Sequence, residues 1–216
     1  MARRIVIIGA NASGVEAASS ARKKDRTAEI TLINQEKYAG YSRCGLPFVI
    51  GGQIPNFKDL VVYPPAYFQM LKLNLRLETK ATSINTTEKT VTIQTKEDQT
   101  EVIAYDNLIL ATGAEAFMPP IKGREKQGIL SLRSMEDGER IDAVVRAGAK
   151  SAVIMGAGLI GLELGVGGFT TKYNRRERIA EGTTSATDQA VLEGGWKPPG
   201  GRISTDVSYR AGRERE

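Results

Sequence analysis

The chain has 216 residues, 41% of them apolar, with one cysteine, no histidine and a formal net charge of +5. That length suffices for a real core; the missing histidine removes Ser–His–Asp catalysis and the commonest zinc ligand, and the lone cysteine removes an internal disulfide framework. The basic residues cluster at "ARKKDR" (residues 21–26) without interleaved aromatics, so neither a nucleic-acid partner nor a metal site is expected.

Arg4–Ile8, "RIVII", is a continuous apolar run suited to a buried parallel strand. It is too short for a signal peptide or a membrane span, and nothing later is longer, so no membrane contact and a cytoplasmic location are expected. "GANASGVEAASSARKK" (residues 9–24) then reads as a glycine turn opening a helix, with Val15, Ala18 and Ala21 as its buried stripe. "EITLIN" (residues 29–34) is a second strand, completing a right-handed βαβ start. A loop leads to Cys44; "YPPAYFQMLK" predicts a short helix and "LNLRLE" the strand after it.

The middle alternates apolar and polar residues through "ATSINTTEKTVTIQTKEDQTEVIAY" around turn-like segments, which predicts an antiparallel ribbon. "NLILATG" is expected to be another buried strand. "SMEDGERIDAVVRAG" predicts a helix with Ser134 at its N-cap. "SAVIMGAGLIGLELG" then repeats the opening theme of strand, glycine turn and helix. After Gly165 no period is sustained, glycines end the helix after about two turns, and a disordered or loosely packed tail is expected. The expected organisation is α/β: residues 1–113 as one dinucleotide-binding domain, 114–165 as a connector and the start of a second, and 166–216 as an atypical tail left by a frameshift or truncation.

A dinucleotide fold needs glycine where the chain turns tightly, where backbone nears the pyrophosphate and where helix packs on strand. The second turn, Gly156-Ala-Gly158-Leu159-Ile160-Gly161, has all three; the first, Gly9-Ala-Asn11-Ala-Ser-Gly14, carries asparagine in the middle, which tolerates the turn with more crowding. The acid that should hold a ribose about twenty residues past the last glycine falls on Asn34, where it is missing; Glu36 serves instead if the loop folds back. The matching count from Gly161 meets no buried strand. Cys44, in "YSRCGLPF" (residues 41–48), taken alone is read as a small buried hydrophobe.

Two glycine turns, "YSRCGLPF", the ribbon and "YDNLILATGA", in that order over residues 3–165, resemble the N-terminal part of the FAD-dependent pyridine nucleotide–disulfide oxidoreductases. The likeness is greatest to their single-cysteine branch of coenzyme A disulfide reductases, NADH oxidases and peroxidases. The resemblance implies a Rossmann-like FAD-binding domain, a parallel sheet plus an antiparallel β ribbon, followed by the start of a second Rossmann unit for NADH or NADPH. It places FAD against Gly9, Asn11, Gly14, Ala81, Thr112, Gly113 and Arg133, and NAD(P)H against Gly156, Gly158, Leu159, Ile160 and Gly161, with Asn34 and Glu36 the ribose candidates from the residue count above.

It also implies that Cys44 is the redox-active residue, reduced by NAD(P)H through FAD and acting on coenzyme A disulfide or a related low-molecular-weight disulfide or persulfide. A helix N-terminus and Arg43 would favour its thiolate, with Ser42 and Arg43 facing substrate. Arg22 and Lys23 suit the anionic end of coenzyme A, although a solvated helix end explains the same pair. Oxidases and peroxidases of the branch usually carry a histidine in the first glycine turn, where this chain has Ala12. Full-length relatives are expected to be homodimers, through a dimerisation domain that this sequence lacks. The alternatives are an NADH oxidase or peroxidase, and a truncated, non-catalytic nucleotide-binding fragment.

Overall fold

The computed structural model describes residues 2–149, 152–156, 158–166, 171–176, 187–192 and 207–212. It divides into two units, Met1–Arg43 with Lys58–Glu136, and Cys44–Phe57 with Asp137–Glu216.

In the first unit, β1 (Arg4–Ile8) lies between two parallel neighbours, β2 (Glu29–Ile33) and β7 (Asn107–Leu110), and β3 (Asn74–Arg76) extends the sheet beyond β2. Ile7 sits opposite both Leu32 and Ile109. A central strand has no solvated face, which is why "RIVII" is apolar without alternation. α1 (Ala12–Lys24) crosses from β1 to β2 and buries Gly14, Val15, Ala18 and Ser19, a stripe at helical spacing. That stripe packs on Ile5, Ile7, Ile30 and Leu32, together with Phe68 of α3 (Pro65–Met70). Full burial of each such side chain is worth about 1.5–3 kcal/mol, so this layer is the main source of cohesion for the β1–α1–β2 start.

The opposite face of the sheet, Val6, Ile8 and Ile33, packs on Val91, Ile93 and Tyr105. Val91 and Ile93 belong to the antiparallel ribbon β4 (Thr79–Asn85), β5 (Thr90–Thr95) and β6 (Thr100–Ala104), in which β5 is central. The alternation along β5 turns Val91 and Ile93 inward. β7, expected to be buried, is instead an edge strand with Leu110 61% exposed. Among the described residues it pairs with β1 alone.

In the second unit, the 3-10 turn Arg43–Gly45 runs into the short α2 (Leu46–Ile50), beside which α5 (Leu159–Val166) packs. α4 (Met135–Arg146) follows Ser134, which stands at the N-cap position. A Cβ at its Gly138 would meet the Phe57 ring at 2.7 Å, so only glycine lets the helix approach so closely. The strand expected at "SAVIM" does not form: residues 152–156 are irregular, and Val153 and Met155 are exposed. A parallel strand exists only with a hydrogen-bonding neighbour, and none pairs with it among the described residues. Conversely, the segment expected to be a disordered tail contains β8 (Thr171–Arg176), β9 (Thr187–Leu192) and β10 (Val207–Gly212) in an antiparallel sheet with β9 central. Antiparallel pairing of short strands holding Thr, Val and Tyr needs no long apolar period.

Candidate functional site

β1 ends in the first glycine turn. Gly9 has φ +108°, and a Cβ there would stand 2.1 Å from the Ala111 carbonyl oxygen; one at Gly14 would stand 1.8 Å from the Gly9 oxygen. The turn therefore closes only without side chains at both positions. The Gly9 N–H donates to Ile33 O and the Ala111 N–H to Ile8 O, each at 2.8 Å, which brings the ends of β1, β2 and β7 together. Thr112 and Gly113 follow β7 there, and Gly113 has φ +69°. Arg133 Nε donates to Ala114 O at 2.9 Å, while its Nη2 lies 3.2 Å from where a Gly113 Cβ would be. Gly9, Gly14, Thr112, Gly113 and Arg133 thus meet at the carboxyl edge of the sheet.

Asn11 stands at the N-cap of α1 in extended conformation and makes no side-chain cap bond. Its Oδ1 accepts the Tyr41 N–H at 3.2 Å, and its Nδ2 is buried without a partner among the described residues. Because the Tyr41 amide can only donate, the facing atom is the oxygen and the orphan is the NH2.

Asn34 and Glu36 face inward. Asn34 is buried, accepts Ala10 N–H at 3.3 Å and donates to the Glu36 and Tyr38 carbonyls at 3.1 and 2.8 Å. Glu36 Oε2 accepts the Tyr41 hydroxyl at 2.6 Å and Oε1 accepts Arg43 Nη2 at 2.5 Å. Each Glu36 carboxylate oxygen holds one donor and keeps a further lone pair, while the Asn34 amide braces its own loop. Arg43 also donates to Arg133 O at 2.8 Å and lies over the Tyr41 ring, 5.1 Å from its centroid. The buried Tyr41 hydroxyl accepts Met135 N–H at 3.1 Å; burial, then the bond to Glu36, pushes its pKa well above the usual phenol range. Tyr41 was not singled out beforehand. An aromatic opening "YSRCGLPF" was the available signal.

Cys44 is exposed. Ser42, just before Arg43, is held by its N–H to Leu60 O at 2.8 Å, and Gly40 N–H donates to Ala10 O at 2.8 Å. The segment leading into Cys44 is thus tied to the first glycine turn at Ala10 and again at Asn11. Arg22 departs from its expected role. Its Nε donates to Leu71 O, Nη1 to the Asp25, Arg26 and Ala28 carbonyls, and Nη2 to Lys72 O, over 2.7–3.4 Å. A guanidinium encircled by carbonyls braces the end of α1 and is not presented to an anion. Lys23 is exposed. Ala81, at a β-bulge of β4, packs partly buried against the Val91 and Ile93 layer. The second turn repeats the first: Gly156 has φ +121°, a Cβ at Gly161 would stand 2.1 Å from Gly156 O, and Gly158 has open space. Leu159 and Ile160 begin α5 exposed.

Among the described residues no group of three His, Cys, Asp or Glu is placed to hold a metal, and no helix is long and apolar enough to cross a membrane.

A parallel sheet with an antiparallel ribbon on one face and a strand–glycine turn–helix at its edge defines a Rossmann-type dinucleotide-binding α/β protein. The family model of pyridine nucleotide-disulphide oxidoreductases matches residues 3–180, and the chain belongs to that family. Over 166 residues it is 36% identical to an NADH oxidase of Methanocaldococcus jannaschii, covering 76% of this chain and 37% of that protein. Over 165 residues it is 34% identical to a coenzyme A disulfide reductase of Staphylococcus haemolyticus, covering 75% and 37%. Among solved structures, reduced CoADR-RHD of Bacillus anthracis superposes with a TM-score of 0.76 at 31% identity, covering 79% of this chain and 32% of that one. A NAD-dependent persulfide reductase from A. fulgidus does so with 0.72 at 38%, covering 76% and 31%. The chain spans little more than a third of the length of the curated relatives it matches.

The family works with FAD and NAD(P)H. The first turn fits the pyrophosphate of such a dinucleotide on two counts. The first turn of α1 carries no acidic residue, and the Asn11 amide is a buried donor that nothing in the described chain satisfies.

Proposed function

We propose that this chain supplies the FAD-binding part and the reactive thiol of an oxidoreductase that passes electrons from NAD(P)H through FAD to Cys44, reducing coenzyme A disulfide or a related low-molecular-weight disulfide or persulfide. The observation that carries this reading is the pairing of an exposed sole cysteine with a preceding segment hydrogen-bonded to the glycine turn at Ala10 and Asn11. A cytoplasmic location belongs to the same reading, since a lone working thiol suits a reducing compartment.

In this mechanism the Cys44 thiolate attacks one sulfur of the disulfide R–S–S–R. The Cys44–S bond forms as the S–S bond breaks, and RS⁻ leaves to take a proton from water. When bound, the flavin would relay two electrons from NAD(P)H to the resulting mixed disulfide. Its cleavage returns Cys44 and releases the second thiol, so that R–S–S–R, NAD(P)H and one proton give two R–SH and NAD(P)⁺. Cys44 is the one cysteine of the given sequence, and in this reading its mixed disulfide is with the substrate. The backbone around Gly9 and Gly14 and the Asn11 amide would hold the FAD pyrophosphate, with Gly113 and Arg133 beside it. Lys23, exposed, remains the candidate for the anionic end of coenzyme A.

Two readouts test this. The purified chain, mixed with excess FAD and desalted, should keep a visible flavin band. Incubated with coenzyme A disulfide, it should gain the mass of one coenzyme A thiolate, and Cys44→Ser should gain none. A colourless protein would favour a non-catalytic remnant, a reading that rests on the exposed Leu110, Phe117, Val153 and Met155. Modification unchanged in Cys44→Ser would remove the thiol from the mechanism.

A further inference from the structure

Asn11 touches two things at once, one present and one missing. Its oxygen is bonded to the Tyr41 N–H, three residues before Cys44, and its amide nitrogen is buried with no partner among the described residues. An unpaired buried N–H is costly, and the cost is recovered only by an acceptor. The residue as a whole is partly exposed at the turn while Nδ2 itself is covered, so an acceptor from outside the chain reaches it only as the turn adjusts around the ligand. The acceptor chemistry that suits an amide donor at the start of a helix with no acid in its first turn is a phosphate oxygen.

We infer that Asn11 is a coupling residue: its Nδ2 receives a pyrophosphate oxygen of the bound dinucleotide while its Oδ1 holds Tyr41, so that occupancy of the turn and order in the segment leading to Cys44 are linked through one side chain. This rests on the proposed FAD site at the first turn and adds to it a physical connection to the thiol segment. A ligand that fixes the amide plane also fixes the oxygen that grips Tyr41. By linkage, the gripped segment raises affinity for the ligand by the same factor. Asparagine does what glycine at this position could not, because glycine has neither atom.

Asp separates the two halves of the claim. Asn11→Asp keeps an oxygen for the Tyr41 N–H and replaces the amide donor with a second carboxylate oxygen, which repels phosphate. Asn11→Ala removes both. The probe is ADP, which supplies the pyrophosphate without a flavin ring to shield the cysteine directly; AMP, lacking the pyrophosphate, is the control. Affinity is read by calorimetry on the full chain, and order by hydrogen–deuterium exchange in the peptide containing Tyr41. ADP should slow exchange in that peptide in the wild type, and AMP should do so less.

Asn11→Asp should exchange like the wild type without ligand, yet bind ADP at least about tenfold more weakly, since a lost charge-assisted bond is worth that or more. Asn11→Ala should exchange faster without ligand and also bind weakly. Asn11→Asp binding ADP as the wild type does would overturn the inference, as would wild-type ADP binding that leaves exchange at Tyr41 unmoved. Wild-type chain that retains neither ADP nor FAD removes the proposed site itself, and the coupling with it.

Discussion

Arg43 and Glu36 form an ion pair at 2.5 Å in which both side chains are less than a quarter exposed. Arg43 precedes the lone cysteine in sequence, and as a free cation it would act on the thiol. In the structure its charge is matched by Glu36, its second nitrogen by the Arg133 carbonyl and its flat face by Tyr41. The arginine therefore works first as a strut, fixing the backbone that enters the Arg43–Gly45 turn.

Glu36→Gln tests the strut. The substitution leaves a partly buried guanidinium without its counter-charge, and stability should fall by about 1–3 kcal/mol. Urea unfolding reads this as a lower midpoint with an unchanged slope. The double variant Glu36→Gln with Arg43→Met should recover part of the loss, because the unmatched charge is gone. Strictly additive effects would mean the pair is not coupled.

Tyr41→Phe removes the donor to Glu36 and the acceptor of the buried Met135 N–H. The expected loss is again about 1–3 kcal/mol. It carries a pH signature. The folded phenol is held well above its unfolded value near 10, by burial first and the Glu36 bond second. The neutral form is thus the one the fold favours, and its contribution is full below pH 10 and declines as pH rises beyond that, where the unfolded state loses its proton and the folded state does not. Wild-type stability should fall more steeply than that of Tyr41→Phe between pH 9 and pH 11. Parallel curves would show that the phenol is not so held.

Arg22→Lys separates bracing from anion binding. Lysine cannot reach five carbonyls from two loop segments with one ammonium. The melting temperature should drop by several degrees, corresponding to about 1–3 kcal/mol. Mixed-disulfide formation with coenzyme A disulfide, measured well below the melt, should be little changed. Unchanged stability with slowed reaction would restore the anionic-substrate role.

What could be read in advance follows from how local each feature is. The βαβ start, the ribbon and the glycine turns were legible because apolar period and glycine spacing are properties of contiguous residues: "RIVII", Val15 with Ala18, and Val91 with Ile93 sit where their patterns put them. The carbonyls around Arg22 come partly from Leu71 and Lys72, which meet it only after the chain has returned from α3. The inward turn of Glu36 depends on Tyr41 and Arg43 folding back over it. "SAVIM" misled because an apolar run specifies a strand only where a partner exists. In residues 166–216 the described strands β8, β9 and β10 pair antiparallel, which needs no apolar period.

The two glycine turns make the same close approach and can be tested by the same substitution. A Cβ at Gly14 would meet the Gly9 oxygen at 1.8 Å, one at Gly161 would meet the Gly156 oxygen at 2.1 Å, and one at Gly158 would meet nothing within 4 Å. In both clashes the obstructing atom is backbone, which cannot swing aside, so the helix must part from the turn. Gly14→Ala should therefore lose cooperative unfolding of the β1–α1–β2 unit, and Gly161→Ala should destabilise the α5 region. Gly158→Ala should stay within about 0.5 kcal/mol of the wild type. Any fall in NADH affinity in Gly158→Ala then reports a ligand approaching the backbone, since the fold leaves that space open. Equal damage from Gly158→Ala and Gly161→Ala in urea unfolding would show that the second turn does not copy the first.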